Sequence, residues 1–167
     1  MNDMSTDPFR RTAEQDAKAV EMLERLTDFI KGEGKWEGKK TINPRELDMD
    51  TWGTKIGILQ KIYRRVNCGT IGCMAYHMSK DDVFKDKGLS LDPVTFTPIY
   101  EGYGCYDALS KFMSITYGDA SFLFGPNNDW DERSGSVCKT PKDFLKRIEY
   151  LQGIYAKQSL SRVERQG

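Results

Sequence analysis

In several stretches of the chain, apolar residues recur every three or four positions, and this spacing predicts helices. The first long stretch has two start signals, Asp7-Pro8 and the slightly later capping-box pattern of Thr12 with Gln15, and it ends at Gly32. The second begins at the start signal Thr140-Pro141-Lys142-Asp143 and carries apolar residues inward to about Gln158. Four shorter helices are predicted over residues 54–66, 70–79, 105–116 and 120–124, with a helical turn at 81–84.

Between residues 89 and 100 the apolar positions alternate instead, about an Asp92-Pro93 turn, and this pattern predicts a small β-hairpin. The pattern therefore predicts an α+β fold, mostly α: a single compact domain of five or six helices with a small β-hairpin. Residues 1–6 and about 158–167 are polar, and we expect them to form flexible tails.

Composition and charge narrow the class of protein. The 167 residues include 38% hydrophobic ones, and 25 basic residues balance 25 acidic ones, so net charge indicates neither a nucleic-acid nor a membrane partner. No apolar run approaches the roughly 20 residues of a membrane span. The first residues lack the basic flank and apolar stretch of a signal peptide. We therefore expect a cytoplasmic protein whose four cysteines are reduced thiols.

Residues 66–77 hold two of the four cysteines and the single histidine. As a nucleophile Cys68 needs a base, but His77 lies nine residues further on, about 13 Å along a helix. Cys68 and Cys73 have the spacing of half a zinc site, but Cys105 and Cys138 do not form the other half, although His77 could replace one of them as a ligand. Buried thiols that pack helices are the alternative. Phosphate-binding and dinucleotide glycine motifs are absent, so no cofactor is expected.

The segment 54–66 is basic without any acidic residue, and it leads toward Thr70, which we expect to be the N-cap of the helix 70–79. A basic segment beside a helix start predicts either an anion pocket or a contact with a partner protein, whereas a solvated helix face is the alternative. Two loop tryptophans could add aromatic contacts. The candidate binding residues are Lys61, Arg64, Arg65, Thr70, Trp36 and Trp130.

The chain carries, in order, the short motifs Leu47–Trp52, Cys68–Cys73, Gly88-Leu89, Phe112, Leu123–Pro126 and Thr140-Pro141 with Arg147-Ile148. This order is similar to that in a set of small bacterial and phage proteins without an assigned activity. The resemblance covers roughly residues 20–155, and its specific part is the Cys-Gly-Thr-x-x-Cys element at Cys68–Cys73. In that set a glycine and a His or Trp follow the element, whereas this chain has Ala75-Tyr76 before His77 and an additional basic helix upstream. The interchange of His with Trp implies a packing role for His77.

We therefore expect a non-enzymatic binding or inhibitor protein. The resemblance implies a setting in host–phage conflict, in which the protein binds a partner protein or sequesters a small anionic, nucleotide-like ligand. A cysteine- or metal-dependent enzyme that uses Cys68 or Cys73 is the alternative, and a structural subunit is a third hypothesis.

Overall fold

The structure is a computed structural model that describes residues 11–31, 53–55, 70–72, 74–125, 138 and 140–166. Within these ranges the helices are α1 (Ala13–Lys31), α2 (Met74–Ser79), α3 (Asp82–Asp86), α4 (Cys105–Met113), α5 (Tyr117–Phe124) and α6 (Pro141–Gln166). The strands are β1 (Gly53–Lys55), β2 (Thr70–Gly72), β3 (Ser90–Leu91), β4 (Pro98–Tyr100) and β5 (Tyr103–Gly104). The predicted α+β class, mostly α, is confirmed. None of the helices in the described ranges is long and apolar enough to span a membrane.

Both long helices begin at start signals predicted from the sequence, and α1 begins at the later of its two, Thr12, whereas Asp7-Pro8 lies outside the described residues. At α1 the Thr12 N–H donates to Gln15 Oε1 at 2.9 Å, and the Gln15 N–H donates to Thr12 Oγ1 at 3.1 Å. At α6 the Asp143 N–H donates to Thr140 Oγ1 at 3.2 Å, and Asp143 Oδ2 accepts the Thr140 N–H at 3.1 Å. Both are reciprocal capping boxes, which satisfy backbone donors that the first turn of a helix leaves open.

Packing of α1 against α6 is the most extensive contact between described elements. Leu23 and Leu26 of α1 and Leu151 of α6 are fully buried. Burying a side chain of this size contributes roughly 1.5–3 kcal/mol to folding. This helix pair therefore forms the centre of the hydrophobic core.

Edge-to-face aromatic contacts connect the helix pair to the sheet. The ring of Phe29 in α1 lies 5.3 Å from that of Phe84 in α3, which lies 5.9 Å from that of Phe112 in α4. The Phe112 ring in turn lies 5.2 Å from the ring of Tyr100 in β4. Such pairs are worth about 0.5–1.5 kcal/mol beyond the area that they bury, so these contacts hold α3, α4 and β4 to the core.

The predicted hairpin is confirmed, although its details differ. Strands β3, β4 and β5 form an antiparallel sheet in that order, with Leu91 opposite Pro98 and Tyr100 opposite Tyr103. The third strand, β5, was not predicted. The alternation of apolar residues does not describe the turn, where Val94 lies at the tip and is 83% exposed.

The helix predicted from Thr70 is wrong at its start. Residues 70–72 form strand β2, which pairs antiparallel with β1 so that Lys55 lies opposite Thr70, and α2 begins only at Met74. The β-branched Thr70-Ile71 pair favours a strand once a partner strand is present. Thr54 and Lys55 pair with β2, so they are in a strand and not in the helix predicted over 54–66. The rest of that segment lies outside the described residues.

Two further boundaries differ from prediction. Helix α4 ends at Met113 because Ser114 adopts a left-handed conformation (φ 59°), and Thr116 then caps α5 by accepting the Asp119 N–H at 3.1 Å. Gly118 and Asp119 therefore lie in the first turn of α5, which begins three residues earlier than the predicted helix 120–124. Helix α6 continues to Gln166, where a tail was predicted, and its last nine residues contain no glycine or proline that would end it.

Replacing a buried leucine of α6 should cost far more stability than replacing an exposed one. We expect Leu151→Ala to lower the free energy of unfolding by about 2–5 kcal/mol, because it leaves a cavity against α1. Leu160 on the same helix is 66% exposed, so Leu160→Ala should change it by less than about 0.5 kcal/mol. Urea unfolding followed by circular dichroism measures both, and equal losses would contradict this packing.

Candidate functional site

A groove of about 530 Å³ lies between the α2–α3 turn and the β3–β4 hairpin. Its apolar lining consists of Leu89, which is buried, Leu91 and Phe96, which are partly buried, and the exposed Pro93. The volume lies within the range of about 300–1,000 Å³ that is usual for small-molecule sites. The groove is therefore the candidate binding site within the described part of the chain.

Two lysines line the groove. Lys80 follows the end of α2, Lys85 lies in the last turn of α3, and both are exposed. The Lys80 ammonium donates to Tyr76 Oη at 3.3 Å and lies 5.0 Å from the centroid of the Tyr76 ring. Neither lysine forms an ion pair with another described residue. Both positive charges therefore remain available to a ligand in the groove.

Asp92 is the acidic residue of the groove lining. Its Oδ1 accepts the backbone N–H groups of Thr95 at 3.0 Å and Val94 at 2.8 Å. These two hydrogen bonds, that from Thr95 first, hold the pKa of the Asp92 carboxyl below its ordinary value of 3.8. At neutral pH Asp92 is thus negative, and together with the two lysines it leaves the groove lining with one net positive charge.

The hairpin turn places Phe96 in the groove wall. Phe96 has a left-handed backbone (φ 58°), which is unfavourable for a bulky residue, and its N–H donates to the Asp92 carbonyl at 2.9 Å. Its ring contacts the buried Tyr76 edge-to-face, with centroids 6.0 Å apart. Tyr76 therefore contacts both Phe96 and Lys80, one on each side of the groove.

The structure places one of the candidate binding residues predicted from the sequence. Thr70 lies in β2, so it does not cap a helix, and the helix start that suggested an anion pocket there is absent at that residue. Its binding role stays a prediction without that support. Lys61, Arg64, Arg65, Trp36 and Trp130 lie outside the described residues.

The cysteines and the histidine are only partly described. Cys68 and Cys73 lie outside the described residues. Cys138 is buried, and burial raises the pKa of its thiol to about 11, so at neutral pH it is not the reactive thiolate. The half-buried His77 ring packs edge-to-face against Tyr76, with centroids 5.3 Å apart. Within the described ranges, no three His, Cys, Asp or Glu side chains lie close enough together to hold a metal ion.

A second group of polar residues is buried where α1 meets the α4–α5 junction. Arg11 Nε donates to Asp16 Oδ1 at 2.8 Å, and both side chains are almost completely buried. Arg11 Nη2 donates to the Ser114 carbonyl, and Ser114 Oγ donates to the Gln15 carbonyl at 3.1 Å. Because buried charges are tolerated when they are paired and hydrogen-bonded, this cluster serves to join α1 to the junction.

Tyr155 of α6 extends this cluster. Its hydroxyl donates to Asp119 Oδ2 at 2.5 Å and accepts the Thr116 N–H at 3.0 Å, and the Arg11 guanidinium lies 5.0 Å from its ring centroid. Burial, followed by the hydrogen bond to Asp119 and the charge of that residue, raises the pKa of Tyr155. The tyrosine therefore remains neutral over the physiological range and acts as a structural link between α6 and α5.

Arg147 performs a similar task at the other end of α5. It is 4% exposed, and its Nη1 donates to the carbonyls of Leu123 and Gly125 at 3.3 Å and of Phe122 at 3.4 Å. A guanidinium at this position satisfies carbonyl groups that the end of a helix leaves open. Arg147 therefore fixes α5 to α6 and is not available to a ligand in the groove.

Comparison of the chain with protein-family models, curated proteins and solved structures gave no match. The resemblance to small bacterial and phage proteins stays a prediction.

The groove residues Lys80, Lys85 and Phe96 were not among the binding residues predicted from the sequence. Phe96 carried a signal, because it belongs to the alternating pattern of the hairpin, but that pattern indicated a core position. The two lysines carried none, because Lys80 follows α2, Lys85 lies in α3, and both flank acidic residues in a segment without net charge. Only folding brings all three to one groove.

The Tyr155 hydroxyl should contribute both to stability and to its dependence on alkaline pH. We expect Tyr155→Phe to lower the free energy of unfolding by about 1–3 kcal/mol, because two buried hydrogen bonds are lost. Because folding raises the pKa of Tyr155, the neutral hydroxyl stabilises the folded protein below the ordinary tyrosine pKa of 10.0. This stabilisation is lost as the pH rises above 10.0. At about pH 11 the wild type should therefore have lost roughly 1 kcal/mol that the variant does not lose.

Urea unfolding at about pH 8 and about pH 11 measures this difference. Tyr150→Phe is the matched control, since Tyr150 lies on the same helix and is 44% exposed. A pH dependence that is the same in both variants and in the wild type would contradict the assigned role of Tyr155.

Proposed function

We propose that the protein is a non-enzymatic binding protein that holds a small anionic ligand in the groove between the α2–α3 turn and the β3–β4 hairpin. The observation that carries this proposal is the position of Lys80 and Lys85, neither in an ion pair with a described residue, beside an apolar wall that includes Leu91 and Phe96. An apolar concave surface with a few charged groups is the usual form of a small-molecule site.

The two parts of the groove contribute differently to binding. Because both lysines are exposed, water and salt screen them, and each contact with an anion is worth about 0.2–1 kcal/mol. Contact with the apolar wall adds about 25 cal/mol for each Å² that is removed from water. Affinity therefore depends mainly on the apolar body of the ligand, whereas the lysines select for negative charge.

The resemblance to phage proteins gives this binding a biological setting. A protein that captures a small anion can act as an inhibitor in host–phage conflict by lowering the free concentration of that anion. The support for this role is the resemblance itself, and the support for binding in the groove is the position of its side chains.

Removing the two positive charges should weaken the binding of an anion. We expect Lys80→Gln combined with Lys85→Gln to raise the Kd for anilinonaphthalene sulfonate, a fluorescent anion, about tenfold, with little change in Tm because both residues are exposed. Fluorescence titration at low salt measures the affinity. Lys87→Gln is the control, because Lys87 is an exposed lysine of the same segment outside the groove lining. Equal affinities in all three proteins would refute the proposed site.

Replacing Phe96 should separate binding from stability. Asparagine tolerates the left-handed backbone at this position, so relief of strain in Phe96→Asn should offset the lost contact with Tyr76 and keep the free energy of unfolding within about 1 kcal/mol. The Kd for the same fluorophore should rise about fivefold, because part of the apolar wall is lost. Val94→Asn at the exposed tip of the same turn is the control and should leave the Kd unchanged.

A further inference from the structure

The backbone N–H groups on the α3 side of the groove are already used within the protein. The Gly88 N–H donates to the Lys85 carbonyl at 2.9 Å, and the Leu89 N–H donates to the Phe84 carbonyl at 3.2 Å. Phosphate groups are commonly held by several consecutive N–H groups that point at the ligand. These two are committed to ending α3, so they do not form such a cradle.

The polar groups on the hairpin side are used in the same way. The Asp92 N–H donates to the Thr97 carbonyl and the Phe96 N–H to the Asp92 carbonyl, both at 2.9 Å. On the opposite side of the groove, at the end of α2, the Ser79 hydroxyl donates to the Ala75 carbonyl at 2.7 Å. A nucleobase is recognised through several directed hydrogen bonds, and a site whose donors are already occupied supplies few of them.

A ligand with one negative charge neutralises the net charge of the groove lining, whereas a ligand with two does not. Lys80 and Lys85 contribute two positive charges to the lining, and Asp92 contributes one negative charge, so the net charge is +1. A phosphate monoester carries about −1.5 to −2 at neutral pH and would leave an excess negative charge next to Asp92. A carboxylate carries −1 and leaves the occupied groove neutral.

We infer that the groove takes a free small-molecule carboxylate with an apolar body, its charge between Lys80 and Lys85 and its body against Leu91 and Phe96. This inference rests on the proposed function and narrows it, because it replaces the nucleotide-like ligand expected from the sequence with an amphipathic monoanion. The apolar residues of the wall lie on the hairpin and the lysines on the α2–α3 segment. The two ends of such a ligand would therefore contact the two sides of the groove.

Competition among three ligands tests this class with the full-length protein. Decanoate has one charge and an apolar chain, decanol has the chain without the charge, and adenosine monophosphate has two charges and a polar base. Each displaces bound anilinonaphthalene sulfonate from the wild type, from the Lys80→Gln/Lys85→Gln variant and from the Lys87→Gln control. Circular dichroism confirms that all three proteins are folded.

We expect decanoate to displace the fluorophore from the wild type at about a tenfold lower concentration than either decanol or adenosine monophosphate. This advantage over decanol should disappear in the double variant and persist in the control. If adenosine monophosphate competes as well as decanoate and depends on the two lysines, the carboxylate class is overturned while anion binding in the groove stands. If no ligand depends on the lysines, the inference and the proposed function both fail.

Discussion

The packing of α1 against α6 is the interaction on which the rest of the described structure depends. Both helices bury apolar faces, with Leu23 and Leu26 on one side and Leu151 on the other. Hydrophobic burial supplies most of the favourable free energy, but it does not fix how the elements are oriented relative to one another. That orientation is fixed by the buried polar cluster, in which Arg11 and Tyr155 connect the two helices to the α4–α5 junction.

A series of aromatic contacts connects this helix pair to the groove. Phe84 touches Phe29 of α1 and Phe112 of α4, and Phe112 touches Tyr100 of β4. Both sides of the groove, α3 and the hairpin, are thereby anchored to the same core. The groove itself is a surface feature, and Tyr76 joins its positive charge to its apolar wall by contacting Lys80 and Phe96. A ligand would thus bind to a site held on two sides by buried residues.

Local signals in the sequence were sufficient for the ends of some elements and not for others. The capping boxes at Thr12 and Thr140 could be predicted, because each needs only residues within one turn of the helix. The strand at Thr70 could not, because its partner β1 lies fifteen residues or more upstream and a lone β-branched pair does not reveal a pairing. The left-handed residues Ser114 and Phe96 were equally hidden, since neither is a residue type that usually takes this conformation.

By itself, the sequence determined the α+β class, the two long helices and the hairpin, because the spacing of apolar residues records which side of each element faces the core. The tertiary structure alone decided the candidate site. The spacing of apolar residues carries no information about which solvent-facing side chains of different elements come together. Lys80 and Lys85 became neighbours of Phe96 only when the α2–α3 segment and the hairpin packed on the same core. The polar link between Arg11 and Tyr155 has the same origin, because it joins residues from opposite ends of the chain.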